Sequence, residues 1–311
     1  MYLKELKYGY DIPADLKQTF ANKFTLTISQ NQIIKMKNDG VLTDRDLAIA
    51  KFLFQFKFAT LDQVYRFLKE NNKKVSLENR LNKLVQYRVL NKFMLGEFEL
   101  DEIEKDALDI YCLDLGGRYL LSNYSNLDTN NWYTTVNMKT SELISINLLN
   151  IEFFLKLLDS IPEKIEYFKT EPEYKVGKTT IIPAFELAIN ENGRLVFFIG
   201  EVFRGWDTFI DTRERIKGLE SVLCTNAWKK YFIGNNPPVL LIFTENDEFA
   251  KNLGAMFVSM SEDINFRITT DERLSKGIDG KDTFLKFEEK DDNVLIKEVR
   301  IMNFVNLEKN K

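Results

Sequence analysis

The stretch "FFIGEVFRGWD", residues 197–207, runs an apolar segment straight into Glu201 and then into an Arg204-Gly205 turn. Just upstream, "KTTIIPAFELAIN" carries Glu186, and the hairpin signal "NENG" separates the two segments. Neighbouring strands that each deliver one carboxylate can share a hard cation, because Mg²⁺ takes oxygen ligands in octahedral geometry. A cation held that way polarises a phosphate and activates water. Glu186 and Glu201 are therefore the candidate catalytic and metal-ligating residues, with Glu152 on the preceding helix as a more distant third carboxylate.

The composition narrows the chemistry further. The chain of 311 residues has no histidine, so Ser-His-Asp and Cys-His nucleophile systems and histidine metal sites are excluded. Any catalysis must rest on carboxylates, Lys, Tyr or a hard cation. Cys112 and Cys224 lack metal-type spacing and read as two thiols of a reducing compartment. Neither a leader of signal-peptide type nor a run of 18 apolar residues occurs, so the expectation is a cytoplasmic protein with no membrane partner. An apolar content of 44% supports real cores, and the length favours two domains.

Charge is unevenly spread along the N-terminal half. From Arg45 to Lys92 there are eleven Lys/Arg against four Asp/Glu, whereas from Glu97 to Asp114 eight acids face one Lys. Inside the basic block, Thr43 with Asp46 marks a helix start, and "TDRDLAIAKFLFQF" follows with helical apolar spacing. Thr60 caps a second helix, "LDQVYRFLKE". A third, "SLENRLNKLVQYRVL", has Ser76 as its expected cap. Two strands are then expected in "NKFMLGEFEL" and "DIYCLDLGGRYLL". Three helices and a strand pair are the order of a winged helix-turn-helix, whose third helix enters a major groove. Asn79, Arg80, Lys83 and Gln86 on that helix are the expected groove-facing side chains, and Lys57, Lys73 and Lys74 the expected phosphate contacts. The acids Glu97, Glu99, Asp101, Glu102 and Glu104 of the wing would repel phosphates, so the wing is expected to stand away from DNA or to meet a partner.

Residues 126–138 read as a linker between a domain over 41–125 and another over 139–311, with 1–40 as an N-terminal extension. "SELISINLLNIEFFLKLLDSI" is a long, almost uniformly apolar helix. "YKVGKTT" imitates the tail of a P-loop, but Pro172 stands where its first glycine is required, so a turn between strands is the better reading. Hairpin, helix "DTRERIKGLESVLC", buried strand "PPVLLIFT" and helix "DEFAKNLGAMFVSM" describe an α/β domain on a mixed sheet. "KFEEKDDNVLIKEVRIMNFVN" adds two further strands.

This second half resembles the core of the restriction-endonuclease-like nucleases, which hold Mg²⁺ with an Asp on one strand and a Glu-x-Lys on its partner. Here Ala184 follows Pro183 at the Asp position, and Phe203 replaces the Lys two residues after Glu201. Taken over residues 40 to 260, the chain resembles the replication-relaxation family of plasmids and integrative elements. The resemblance lies in "LTDRDLAIAKFLFQFKFATLDQVYRFL", "LENRLNKLVQYRVLNKF", "YCLDLGGRYLL", "IIPAFELAI", "FFIGEVFRGWDTF" and "PVLLIFT". It implies a winged-helix DNA-binding domain joined to a nuclease-derived one, an α+β protein overall. Of the family's Pro-Asp-Ala and its Glu followed by Asp-Arg-Gly, this chain keeps Pro183, Glu201, Arg204 and Gly205, with Phe203 at the Asp.

The expectation is thus a non-catalytic, sequence-specific binder of double-stranded DNA, without a cofactor, serving replication, transfer or regulation of a plasmid or mobile element. It would act as a homodimer on a palindromic or repeated site. Two alternatives stand beside it. One is a Mg²⁺-dependent nuclease using Glu186 and Glu201; the other is an adaptor that recruits a relaxase or replication initiator.

Overall fold

The computed structural model describes residues 7–24, 27–69, 73–96, 108–261, 263–290 and 293–301. The protein is mixed α and β and forms two compact units, Met1–Leu155 and Lys156–Lys311.

In chain order the first unit contains β1 (Lys17–Phe20), α1 (Gln30–Asn38), α2 (Asp44–Phe56), β2 (Phe58–Thr60) and α3 (Leu61–Leu68). It continues with α4 (Lys74–Gln86), β3 (Leu90–Gly96), β4 (Leu108–Leu113), α5 (Leu115–Tyr124) and the start of α6 (Ser141–Ser160). Its four strands form an antiparallel sheet in the order β1-β3-β4-β2. Capping boxes at Thr43/Asp46 and Thr60/Gln63 start α2 and α3 where the sequence places them. The third expected helix begins three residues early: Lys73 holds the N-cap position of α4 without a side-chain bond, and Ser76 lies in the first turn. The acidic segment between β3 and β4 lies outside the described residues, so the expected wing tip does too.

"DIYCLDLGGRYLL" is not one strand. It breaks at Asp114, whose carboxylate accepts the Leu115 amide and starts α5. The glycine pair explains why the helix can start there. The Gly116 amide donates to the Arg88 carbonyl at 2.8 Å, and a side chain at Gly117 would stand 2.3 Å from the Val89 carbonyl oxygen. Only glycine lets the helix come this close to the backbone entering β3.

Residues 10–20 and the segment expected as a linker are both packed parts of the first unit. Ser145 of α6 donates to the Tyr10 carbonyl, and the Leu16 amide donates to Ser141 at 3.2 Å. Gln18, on β1, binds the Asn137 carbonyl and the Lys139 amide. Asn137 in turn donates to the Leu113 carbonyl at 2.9 Å, from a short 3₁₀ turn at Thr134–Asn137. The division between units falls within α6, at residues 155 and 156.

The second unit holds β5 (Ile165–Thr170), β6 (Tyr174–Val176), β7 (Thr179–Ile181), β8 (Phe185–Glu191), β9 (Arg194–Val202) and α7 (Phe209–Leu223). It is completed by β10 (Val239–Thr244), α8 (Asp247–Met260), β11 (Phe266–Thr270), α9 (Asp271–Ser275), β12 (Phe284–Lys290) and β13 (Asn293–Val299). Seven strands make one mixed sheet, β13-β12-β11-β10-β9-β8-β5, parallel at β9-β10-β11 and antiparallel elsewhere. The sequence reading located β8, β9, α7, β10, α8 and the β12-β13 pair, ran β7 and β8 together as one strand, and did not place β5, β6, β11 or α9. "YKVGKTT" forms the small hairpin β6-β7, turned at Gly177 with φ +60°, as a turn and not a phosphate loop. On one face of the sheet, Ile199, Ile242 and Ile268 pack with Ile216 and Leu219 of α7 and with Leu253 and Phe257 of α8.

Gly117→Ala separates helix propensity from close packing. Propensity alone would stabilise α5 by up to ~1 kcal/mol; the collision with Val89 and Leu113 should instead destabilise the protein by ~1–3 kcal/mol, read from the midpoint of urea unfolding.

Candidate functional site

Glu186 pairs across the β8-β9 ladder with Ile199, two residues before Glu201. Side chains alternate along a strand, so both carboxylates lie on the same face of the sheet as diagonal neighbours. The expected juxtaposition is therefore present, and both glutamates are buried. What surrounds them differs from an open metal site.

Both oxygens of Glu186 accept phenolic hydroxyls, Oε1 from Tyr167 on β5 and Oε2 from Tyr174 on β6, the latter at 2.5 Å. Burial, and then the bonded carboxylate, push both phenols well above their ordinary pKa, so they stay protonated donors. Glu201 meets the guanidinium of Arg215 from α7. The same guanidinium donates to Asp207 at 3.0 Å and to the Val202 carbonyl at 2.5 Å. Its Cζ lies 4.1 Å from the centroid of the Phe203 ring, which is fully buried. Phe203, where the resemblance calls for a charged side chain, is thus the apolar floor beneath an arginine. Burial pushes the Glu201 carboxyl up, with Arg215 pulling the other way.

The donor set does not fit Mg²⁺. Glu201 Oε1, Asp207 Oδ1 and the Val202 carbonyl face the Arg215 guanidinium, and each oxygen of Glu186 accepts a tyrosine hydroxyl. Among the described residues no three His, Cys, Asp or Glu side chains converge on a cation position. Glu152 belongs to the first unit and pairs with Arg66 at 2.7 Å. Arg204 and Gly205 have separate tasks. Arg204 makes a buried bidentate pair with Asp271 of α9 at 2.6 and 2.9 Å, and the Gly205 amide donates to Glu245 at 2.6 Å. Sequence reasoning missed Arg215, Tyr167 and Tyr174, since nothing in "DTRER" marks which arginine turns inward.

In the first unit, Asn79, Lys83 and Gln86 are exposed and fall on one stripe of α4, four and three residues apart. Lys73 is exposed at the N-cap of the same helix, and Lys74 beside it pairs with Asp62 at 2.8 Å, both half-exposed. Lys57 stands apart, half-buried at the C-cap of α2 with φ +66°.

Arg80 does not share the exposed stripe. Its Nε donates to Asp46 Oδ1 at 2.8 Å, and its Nη2 binds both Asp46 Oδ2 and the Val41 carbonyl. Asp46 is completely buried and also caps α2 through Thr43, so it requires a cationic partner. The arginine expected to read bases is instead a strut between α4 and the start of α2.

No family model and no curated protein sequence matches the chain. Among solved structures, protein VC1899 from Vibrio cholerae aligns over 81% of this chain at a TM-score of 0.27 and 11% identity. Restriction endonuclease FokI bound to DNA aligns over 83% at 0.29 and 11%. The alignments span about half of those proteins, 54% of each chain. Likenesses of this size settle neither fold nor activity. No helix among the described residues is long and apolar enough to cross a membrane.

Burial alone would raise the pKa of Asp46, but hydrogen bonds from Arg80 and Thr43 outweigh it and hold the group below its ordinary value. A lowered folded-state pKa gives stability that is complete above the ordinary carboxylate value and is lost as pH falls through the lowered one. Arg80→Ala leaves the buried carboxylate without its cation. It should destabilise the protein by ~3 kcal/mol and move the acid limb of unfolding to higher pH, as measured by circular dichroism across a pH series.

Proposed function

We propose that the first unit is a winged helix-turn-helix that binds double-stranded DNA through α4, and that the protein has no catalytic activity of its own. The observation that carries this reading is the placement of Asn79, Lys83 and Gln86 along one exposed stripe of the third helix of the order α2-β2-α3-α4-β3-β4. In that order β2 joins the β3-β4 pair as a third antiparallel strand, which is the framework a recognition helix needs behind it.

Asn and Gln present the paired donor and acceptor that suit adenine edges, and Lys83 suits guanine or a phosphate. Lys73 and Lys74 at the start of α4 add phosphate contacts beside the helix N-terminus. Arg80 contributes by fixing the angle of α4. Lys57 supplies charge from a separate connection and makes no part of the reading stripe. From the sequence resemblance to replication-relaxation proteins we infer a role in the replication, transfer or regulation of a mobile element, with a relaxase or replication initiator as the partner to test.

The carboxylate pair of the second unit supports this non-catalytic reading, because each glutamate is occupied by protein donors. Selection of bound fragments from random duplexes should return a common motif. Against that motif, Asn79→Ala and Gln86→Ala should each lose about 1–3 kcal/mol in gel-shift titrations, and Lys83→Ala should reduce affinity. Recovery of no motif, or indifference to all three changes, would falsify the groove assignment. Supercoiled plasmid incubated with Mg²⁺ should stay intact; nicking by the wild type that Glu201→Gln abolishes would restore the nuclease reading.

A further inference from the structure

The second unit carries two lysine-bearing segments that the α4 reading does not use. Residues 174–184 and 224–238 hold four lysines and no acid, in a chain whose net charge is −4. The fold brings these two segments together. The Tyr231 hydroxyl accepts the Lys175 amide at 2.7 Å and donates to the Lys175 carbonyl at 3.1 Å. The Tyr174 ring meets Tyr231 edge-on at 5.0 Å and lies 5.7 Å from Phe232. The β6-β7 hairpin and the 3₁₀ turn Asn226–Lys230 also both pack against α7.

All four lysines of this surface are exposed. Lys178 stands at the hairpin tip beside Gly177, followed by exposed Thr179 and Thr180. Lys230 lies 5.3 Å from the Tyr231 centroid, and Lys229 lies 5.6 Å from that of the buried Trp228. The nearest acid in sequence, Glu173, makes a loose pair with Lys175 at 3.6 Å. Asn226 and Asn235 add exposed amides at the margin. Lysines with interspersed hydroxyls and amides are the groups that contact a phosphodiester backbone without reading its bases.

We propose that this face, formed by Lys175, Lys178, Lys229 and Lys230, is a second DNA-backbone contact surface that supplies sequence-independent affinity. The inference rests on the reading of the protein as a duplex DNA binder and assigns the second unit a direct part in it. The mechanism is electrostatic: each phosphate neutralised by a lysine releases a condensed counterion, so the contribution falls steeply with salt. The face also lies next to the carboxylate pair, since Tyr174 bonds Glu186 through its hydroxyl and contacts Tyr231 through its ring.

The test uses the full chain with Lys175, Lys178, Lys229 and Lys230 all changed to Gln, titrated by fluorescence anisotropy with a random-sequence duplex over a salt series. The expected result is a log K against log[salt] slope shallower by about 3–4, with at least roughly tenfold weaker binding at low salt. The thermal midpoint should be unchanged, because these side chains are exposed. A parallel variant with Asn79, Lys83 and Gln86 changed to Ala should lose preference for the selected motif and shift the slope by only about 1. A wild-type protein that binds duplex DNA with a slope unaltered by the four lysine changes overturns this proposal alone. If the wild type binds no duplex, both this proposal and the α4 reading fall. Loss of binding to single-stranded RNA or to anionic lipid vesicles, with duplex binding intact, also overturns it, because the ligand would then be a different polyanion.

Discussion

A charge taken out of water must meet an opposite charge with good geometry, and four such pairs set where the elements of this protein can lie. Asp46 and Arg80 join α2 to α4, while Arg88 and Asp114 join the turn before β3 to the start of α5. Arg204 and Asp271 join the end of β9 to α9, and Glu201 and Arg215 join β9 to α7. Such pairs add little net stability compared with well-packed apolar groups, because desolvation offsets most of the attraction. Their effect is positional: a shifted helix would leave a buried charge alone, at a cost of several kcal/mol.

This constraint decides what each candidate site can do. In the first unit it removes Arg80 from the surface and holds α4 at a set angle, leaving Asn79, Lys83 and Gln86 along its outer side. In the second unit it draws Arg215 onto Glu201 and Asp207, so that a guanidinium occupies the place where a cation would bind. Phe203 makes that possible by giving the arginine an aromatic surface to lie on. The frame of two carboxylates on adjacent strands persists, but Glu201 is spent on holding α7 to the sheet and Glu186 on the tyrosines of β5 and β6.

Much of this was legible in residue patterns. Capping boxes at Thr43 and Thr60, apolar spacing along α2 to α4, and the alternating runs of β8 and β9 all express local preferences that the chain satisfies with near neighbours. The misreadings share one cause. The strand expected through "LGGRYLL" became α5 because Gly116 and Gly117 admit a backbone 25 or more residues earlier in the chain, a contact no local window contains. Residues 10–20 and 126–138 looked unattached because they bond to positions more than a hundred residues apart, as in Leu16 to Ser141 and Gln18 to Asn137.

The sequence by itself determined the excluded chemistries, the helices α2 to α4, the β8-β9 hairpin with α7, β10 and α8 after it, and the presence of Glu186 and Glu201 on neighbouring strands. These follow from residue type and short-range periodicity. Only the tertiary structure decided which charged side chains remain available. Arg80 and Lys83 are three residues apart on one helix, yet one closes a buried pair with Asp46 and the other faces solvent. That difference depends on which segment packs alongside the helix, and electrostatic pairing acts through space, whatever the separation along the chain.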